Sequence, residues 1–249
     1  DQDEIIPDFD KNNGVGILKI NLDYFYLNLN NEELIEKISK DIESKIEHFK
    51  NKPVWYYTQS IDNFDLLKIQ FESIKKLYDK GVTNIGVAIP SIIDASQIKR
   101  IKEVLKEIGL EPLEEIEFGL IIDTPASAVL INEFCSEDLD FIIIDLLKLT
   151  TSTLSILDEY NEKYNEMHPS ILKQISYITK TCRKSNIETS ILGKSISEPA
   201  FVEFLVKNGI DSLICKINSV NETKNKVAKS EKKLILKAVR NELNNNTLK

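Results

Sequence analysis

The 249-residue sequence contains no apolar run near the roughly 20 residues that a membrane-spanning helix needs, which excludes a helical span. A charged, apolar and cleavable leader is missing at the start. A glycine-rich phosphate loop of the Walker type is missing as well, in a chain with only 8 glycines. The three cysteines, Cys135, Cys182 and Cys215, are odd in number and far apart in sequence. They form neither a metal-binding signature nor a disulfide framework, and a reducing cytoplasm is the simplest setting for them. An excess of positive charge is also lacking. The 32 Lys and Arg against 40 Asp and Glu leave a net charge of -8. That balance argues against a general nucleic-acid surface or an anionic-membrane surface. The scarcity of Gly, Met and Trp, beside many Ile, Lys, Asn and Glu, reads as nucleotide-composition bias and not as function. The first residue is Asp1 and not Met, which fits a trimmed chain or a piece of a longer one.

What is present is ordinary for a globular protein: 42% hydrophobic and 29% charged residues. The length fits one eight-stranded barrel or two small domains. The pattern is clearest over residues 117–153. Two short apolar segments, FGLII and FIII, are each followed by an aspartate, Asp123 and Asp145. A Thr-Pro-Ala-Ser helix start lies between them. That is a strand, a crossover helix and a second strand, with polar residues at both strand ends. In parallel α/β proteins those ends are where chemistry is usually placed.

The same alternation runs through the whole chain. Strands are expected to begin at Gly14, Val54, Asn84, Glu117, Phe141, Ile187 and Asp211. Between them, Leu34, Ile35, Ile38, Ile42 and Ile46 mark one face of an amphipathic helix over 31–50. Further helices are expected over 64–80, 94–108, from Pro169, from Pro199, and over 220–243. Gly81, Gly109 and Gly209 lie just past helix ends, as stop signals do. Alternating strands and helices imply parallel strands with helical crossovers. The expected architecture is a TIM-type (β/α)8 barrel, one strand short and incomplete or distorted around the third strand. No linker or repeat divides residues 1–249, so they are read as one domain. Residues 1–13 read as a loose lead-in and 244–249 as a frayed tail.

Several ordered motifs resemble the C-terminal barrel of the phosphoenolpyruvate-utilising enzymes: phosphoenolpyruvate synthase, pyruvate phosphate dikinase, and enzyme I of the sugar phosphotransferase system. The archaeal synthases look nearest. GVGILKINL is similar to GxGLLRxEF, VWYYT to VxYRT, and NIGVAIP to NVGVMIP. FGLIIDTPASAVLINEF is similar to VGIMVEVPAAALLADEF, and FIIIDLLKLTTST to FFSIGTNDLTQLT. MHPSILKQI and SILGKSISEPAFVEFLVKNGIDSL follow the family's last motifs. The resemblance covers about Gly14 to Glu231.

It also implies where the family's functional residues would fall. The phosphate-gripping arginine of the first motif is Lys19, and the glutamate two residues on is Asn21. The arginine of the second motif is Tyr57. A segment carrying a further substrate arginine is absent after Ile61, which accounts for the missing strand. The magnesium-binding glutamate is shortened to Asp123. An asparagine becomes Leu147, and the second metal-binding aspartate becomes Lys148. Asp145 stands where the family has glycine. The cysteine that protonates the pyruvate enolate becomes Leu192, and the acidic or glutamine position beside it is Lys194.

Leucine transfers no proton, and an ammonium in place of a carboxylate repels Mg²⁺. The resemblance therefore implies a degenerate barrel: a binding, regulatory or assembly protein with no catalytic residue and no cofactor. The alternative is a phosphotransferase-type enzyme with a rebuilt site, in which Mg²⁺ returns. That alternative needs ATP-binding and phosphohistidine domains upstream. Lys19, Tyr57, Asp123, Lys148 and Lys194 are the candidate ligand-binding residues. Relaxed selection in a Lys-rich chain is the simpler account of three lysines at one mouth; the sharper one is a metal-free pocket for a small phosphate or carboxylate. A Schiff-base lysine rests on position alone. Asp123 and Asp145 are the candidates for a remade metal pair, unless Asp145 caps a strand end or pairs with a lysine. His168 reads as a structural helix-start residue, His48 as solvated, and Cys215 as a buried, inert thiol. Trp55, Tyr56 and Tyr57 read as core and mouth packing, Tyr57 plugging the vacated arginine site. A homodimer or a protein partner is expected by analogy, with no nucleic acid and no membrane.

Overall fold

The computed structural model describes residues 16–19, 29–49 and 52–247. The lead-in, the expected strand start at Gly14, and Asn21 lie outside those residues. So do the side chains of His48 and of the 244–249 tail.

Seven strands form one parallel sheet in sequence order. They are β1 (Gly16–Lys19), β2 (Val54–Tyr57), β3 (Ile85–Ile89), β4 (Phe118–Ile122), β5 (Phe141–Asp145), β6 (Glu188–Leu192) and β7 (Ser212–Ile214). Each starts within two residues of the expected position. Lys19 pairs with Tyr57, Tyr57 with Ala88, and Asp145 with Leu192, so the strand ends come level. The sheet is unbroken through β2 and β3, where the absent segment would fall. Among the described residues no ladder joins β7 back to β1, so the incompleteness is taken up at the two edges.

The helices cover the outer face. The first three, α1 (Asn31–Ile46), α2 (Phe64–Tyr78) and α3 (Ala95–Ile108), follow the first three strands. Asp94 and Gln97 form a reciprocal capping box at the start of α3. Gly109 beyond α3 and Gly209 further on take left-handed φ values of 86° and 74°, which only glycine adopts without strain. The crossover after β4 is two short helices, α4 (Pro125–Val129) and α5 (Ile131–Cys135), where one helix was expected. A helix that the sequence pattern did not announce, α6 (Leu146–Leu154), begins directly at the end of β5. Then come α7 (Pro169–Lys184), α8 (Pro199–Asn208) and α9 (Val220–Thr247), the last extending past the expected 243. His168 is the N-cap of α7, its ring nitrogen accepting from the Ser170 N–H at 3.3 Å. No described helix is long and apolar enough to cross a membrane.

Two glycines explain how the sheet curls. The Trp55 ring of β2 stacks on the Phe141 ring of β5, centroids 3.7 Å apart and planes 8° apart. Those strands are three places apart, roughly 14 Å in a flat sheet. Their rings meet only because the sheet curls and β3 and β4 carry no side chain between them. A Cβ on Gly119 would lie 2.3 Å from the Phe141 ring, and one on Gly86 3.0 Å from Trp55. Tyr57, Ala88, Ile121 and Ile143 continue this inner apolar cluster, and Leu192 and Ile214 pack against it. The interior is packed, as barrel interiors are. Gly119→Ala is expected to cost about 1–3 kcal/mol through overpacking, read as a lowered urea midpoint; unchanged stability would contradict the stacked floor.

Candidate functional site

The inward-facing positions one layer higher are polar, and they meet at one mouth. Asp123 follows β4 and is only 2% exposed; Asp145 ends β5 at 5%. A carboxylate buried this deeply must be hydrogen-bonded or paired, and both are. The Ser91 N–H donates to Asp123 Oδ1 at 3.1 Å, and the Ser91 hydroxyl to Oδ2 at 3.1 Å. Ser91 follows Pro90 and holds φ at 62°, an uncommon value for a serine. That backbone turn aims both of its donors at Asp123. The Lys148 ammonium completes the set, 3.3 Å from Asp123 Oδ2.

Lys148 reaches this point because Asp145 places it there. Asp145 Oδ1 accepts from the Lys148 N–H at 3.1 Å, capping α6 and fixing its first turn. Asp145 Oδ2 accepts from the Tyr57 hydroxyl at 3.3 Å, across the sheet interior. The Lys19 ammonium lies 4.6 Å from the centre of the Tyr57 ring, and that of Lys148 lies 5.4 Å from it. Both ammonium groups thus face one aromatic platform.

The charges act on one another. Partial enclosure and the neighbouring Lys148 charge lower the Lys19 pKa, against the opposing pull of Asp145 and Asp123. Burial raises the Asp145 pKa, and the Lys148 N–H and charge only partly offset it. Burial also raises the Tyr57 phenol, with Asp145 adding to the effect. Tyr57 is a neutral donor throughout the physiological range.

Lys194 stands apart from this group. Its ammonium pairs with Glu159 at 2.7 Å and lies 5.6 Å from the Tyr160 ring centre. The Glu159 partner raises its pKa. The backbone beside it is held by Glu166, a buried residue in the loop before α7. Glu166 accepts from the Lys194 N–H at 3.0 Å, the Ser195 N–H at 2.6 Å and the Tyr164 hydroxyl at 2.6 Å. Gly193 eases that approach, since a Cβ there would lie 3.0 Å from Glu166 Oε2 and 2.6 Å from Leu146. Leu192 belongs to the inner apolar layer, whereas Cys215 packs against the outer core, so that thiol does not refill the Leu192 position. Among the described residues no three His, Cys, Asp or Glu side chains converge as a metal cage would require.

Ser91 and Glu166 are the organising residues that sequence reading missed. Ser91 carried a usable signal, a polar residue just past a proline-stopped strand. Glu166 carried none, because its three donors come together only through the fold.

Residues 57–232 match the model of the PEP-utilising enzyme, PEP-binding domain. A probable phosphoenolpyruvate synthase of Methanocaldococcus jannaschii is 39% identical over 186 residues, covering 73% of this chain and 16% of that protein. The phosphoenolpyruvate synthase of Pyrococcus furiosus is 34% identical over 238 residues, covering 82% of this chain and 29% of its own length. The chain therefore spans less than a third of these relatives. Haloferax volcanii malate synthase superposes with a TM-score of 0.62 at 13% identity, over 85% of this chain and 65% of that one. RipC from Yersinia pestis gives 0.58 at 10% identity, over 86% and 88%. At such identities the last two show the fold alone.

The raised Asp145 carboxyl predicts a pH signature. A carboxyl held above its ordinary value binds its proton more tightly folded than unfolded. Its contribution is therefore greatest in acid and declines as pH rises through the raised value. Asp145→Asn should remove that decline from a series of unfolding curves across the acid range; an unaltered pH profile would contradict the assignment.

Proposed function

Since the chain belongs to the family of PEP-utilising enzyme, PEP-binding domains, we propose that it is a degenerate, non-catalytic member whose mouth binds a small anion without metal. One observation carries this reading: the Lys148 ammonium lies 3.3 Å from the Asp123 carboxylate, where the resemblance puts the family's magnesium. Mg²⁺ demands several oxygen donors at about 2.0–2.1 Å. Here Asp123 is engaged by Ser91 and Lys148, and Asp145 by the Tyr57 hydroxyl and the Lys148 N–H. A divalent cation would have to displace a like-charged group from the carboxylate it needs. The donor set does not fit the metal.

The lysines supply the charge in its place. Lys19 and Lys148 face the same Tyr57 ring, and partial burial together with the Lys148 charge lowers the Lys19 pKa. A phosphate or carboxylate between them offsets the like charges and gains charge-assisted hydrogen bonds. Leu192 offers no proton to an enolate, so a bound pyruvate-like ligand would be held and not turned over. Such a site suits a role in binding, regulation or assembly.

Calorimetry with phosphoenolpyruvate, pyruvate and inorganic phosphate, each with and without Mg²⁺, tests the reading. At least one anion is expected to bind with an affinity indifferent to Mg²⁺. Lys148→Ala should weaken it about tenfold or more, the loss of one charge-assisted contact. Phosphoenolpyruvate binding that requires Mg²⁺ would overturn the proposal.

A further inference from the structure

Two thiols that are 47 positions apart in sequence meet in the fold. Cys135 ends α5, Cys182 lies near the end of α7, and their sulfurs are 3.8 Å apart. A disulfide needs about 2.05 Å between sulfurs, so closure requires a movement of about 1.8 Å. The partner positioned to supply it is α5. That helix has five residues and no side-chain cap at its start, and a helix so short depends on packing for its place.

The two thiols differ in character. Cys182 is buried and Cys135 only partly so. The side-chain contacts with Cys182 and Ser185 lower the Cys135 pKa against the opposing effect of burial. The contact with Cys135, together with burial, raises the Cys182 pKa. The more accessible sulfur is thus the one a peroxide meets first, beside a partner that is buried. The third thiol, Cys215, lies beyond β7.

We propose that Cys135 and Cys182 form a reversible disulfide, a redox-sensitive clamp between α5 and α7, with Cys135 reacting first and Cys182 resolving it. The oxidant is a hydroperoxide. The Cys135 thiolate attacks one oxygen of hydrogen peroxide, and the O–O bond breaks. Cys135 becomes a sulfenic acid, and the departing hydroxide takes up a proton as water. The Cys182 sulfur then attacks the Cys135 sulfur, and the S–O bond breaks. The hydroxyl leaves with the Cys182 proton as a second water. Two thiols are oxidised and one peroxide is reduced. The closed loop contains β5 and α6, and with them Asp145 and Lys148, so the clamp closes around the strand and helix that supply two residues of the mouth. In a reducing setting the pair stays open.

The test treats the purified, reduced protein with hydrogen peroxide. Two of the 3 thiols should vanish from a thiol titration. The intact mass should fall by two hydrogens, and a linked Cys135–Cys182 peptide should appear and disappear with dithiothreitol. The thermal midpoint should rise by about 5 °C or more, since closing a loop of this length restrains the unfolded chain. Cys135→Ser must abolish all of these changes. Cys215→Ser must leave them intact, which keeps the test sound without altering buried Cys182. A link through Cys215, a link between two molecules, or oxygen added to Cys135 with Cys182 still free would overturn the clamp.

Discussion

Two carboxylates buried at a single mouth set the constraint to which the rest of the site answers. Asp123 and Asp145 are almost wholly enclosed, on adjacent strand ends, in a chain that is already acidic. Burying an unpaired carboxylate costs several kcal/mol, and Ser91, Tyr57 and Lys148 commit their donors to them. Ser91 accepts an uncommon backbone angle to present two donors. Tyr57 reaches across the interior from β2. Asp145 caps the helix that carries Lys148 back to Asp123, so each carboxylate depends on the other's surroundings. The positive charge that neutralises the mouth is covalently part of the chain. That is why a family resemblance that brings magnesium to mind leads here to a metal-free reading.

Below the mouth, shape does the corresponding work. Seven strands enclose a smaller interior than eight, and two glycines let a stacked tryptophan and phenylalanine fill it. That aromatic floor supports Tyr57 in the next layer, and Tyr57 in turn presents its hydroxyl to Asp145 and its ring to two lysines. Floor, platform and charges form one column, so a disturbance at Gly119 reaches the mouth through packing.

Much of this was legible before any coordinates. The strand starts were readable because buried parallel strands are short apolar runs between turn residues, and the helix ends because glycine and proline mark them. The part of the sequence that misled was LLKLTTST. Its β-branched residues gave no helical signal, and α6 exists because Asp145 caps it. The three lysines looked equivalent by position, yet only Lys19 and Lys148 share the Tyr57 ring, because a loop carboxylate, Glu159, draws Lys194 away. Cys135 and Cys182 looked unrelated because their meeting depends on how α5 and α7 pack. In each case periodicity carried the element, and a long-range contact decided what the element presents.

In the proposed reading the Lys148 ammonium stands where the family's relatives would hold a divalent cation. The most direct measurement is paramagnetic resonance of Mn²⁺ titrated into the protein and into Lys148→Asp. The wild type is expected to leave Mn²⁺ free in solution, and the variant, with the ammonium exchanged for a carboxylate beside Asp123, to gain a bound-metal signal. A stoichiometric Mn²⁺ site in the wild type, lost or unchanged in the variant, would contradict the account.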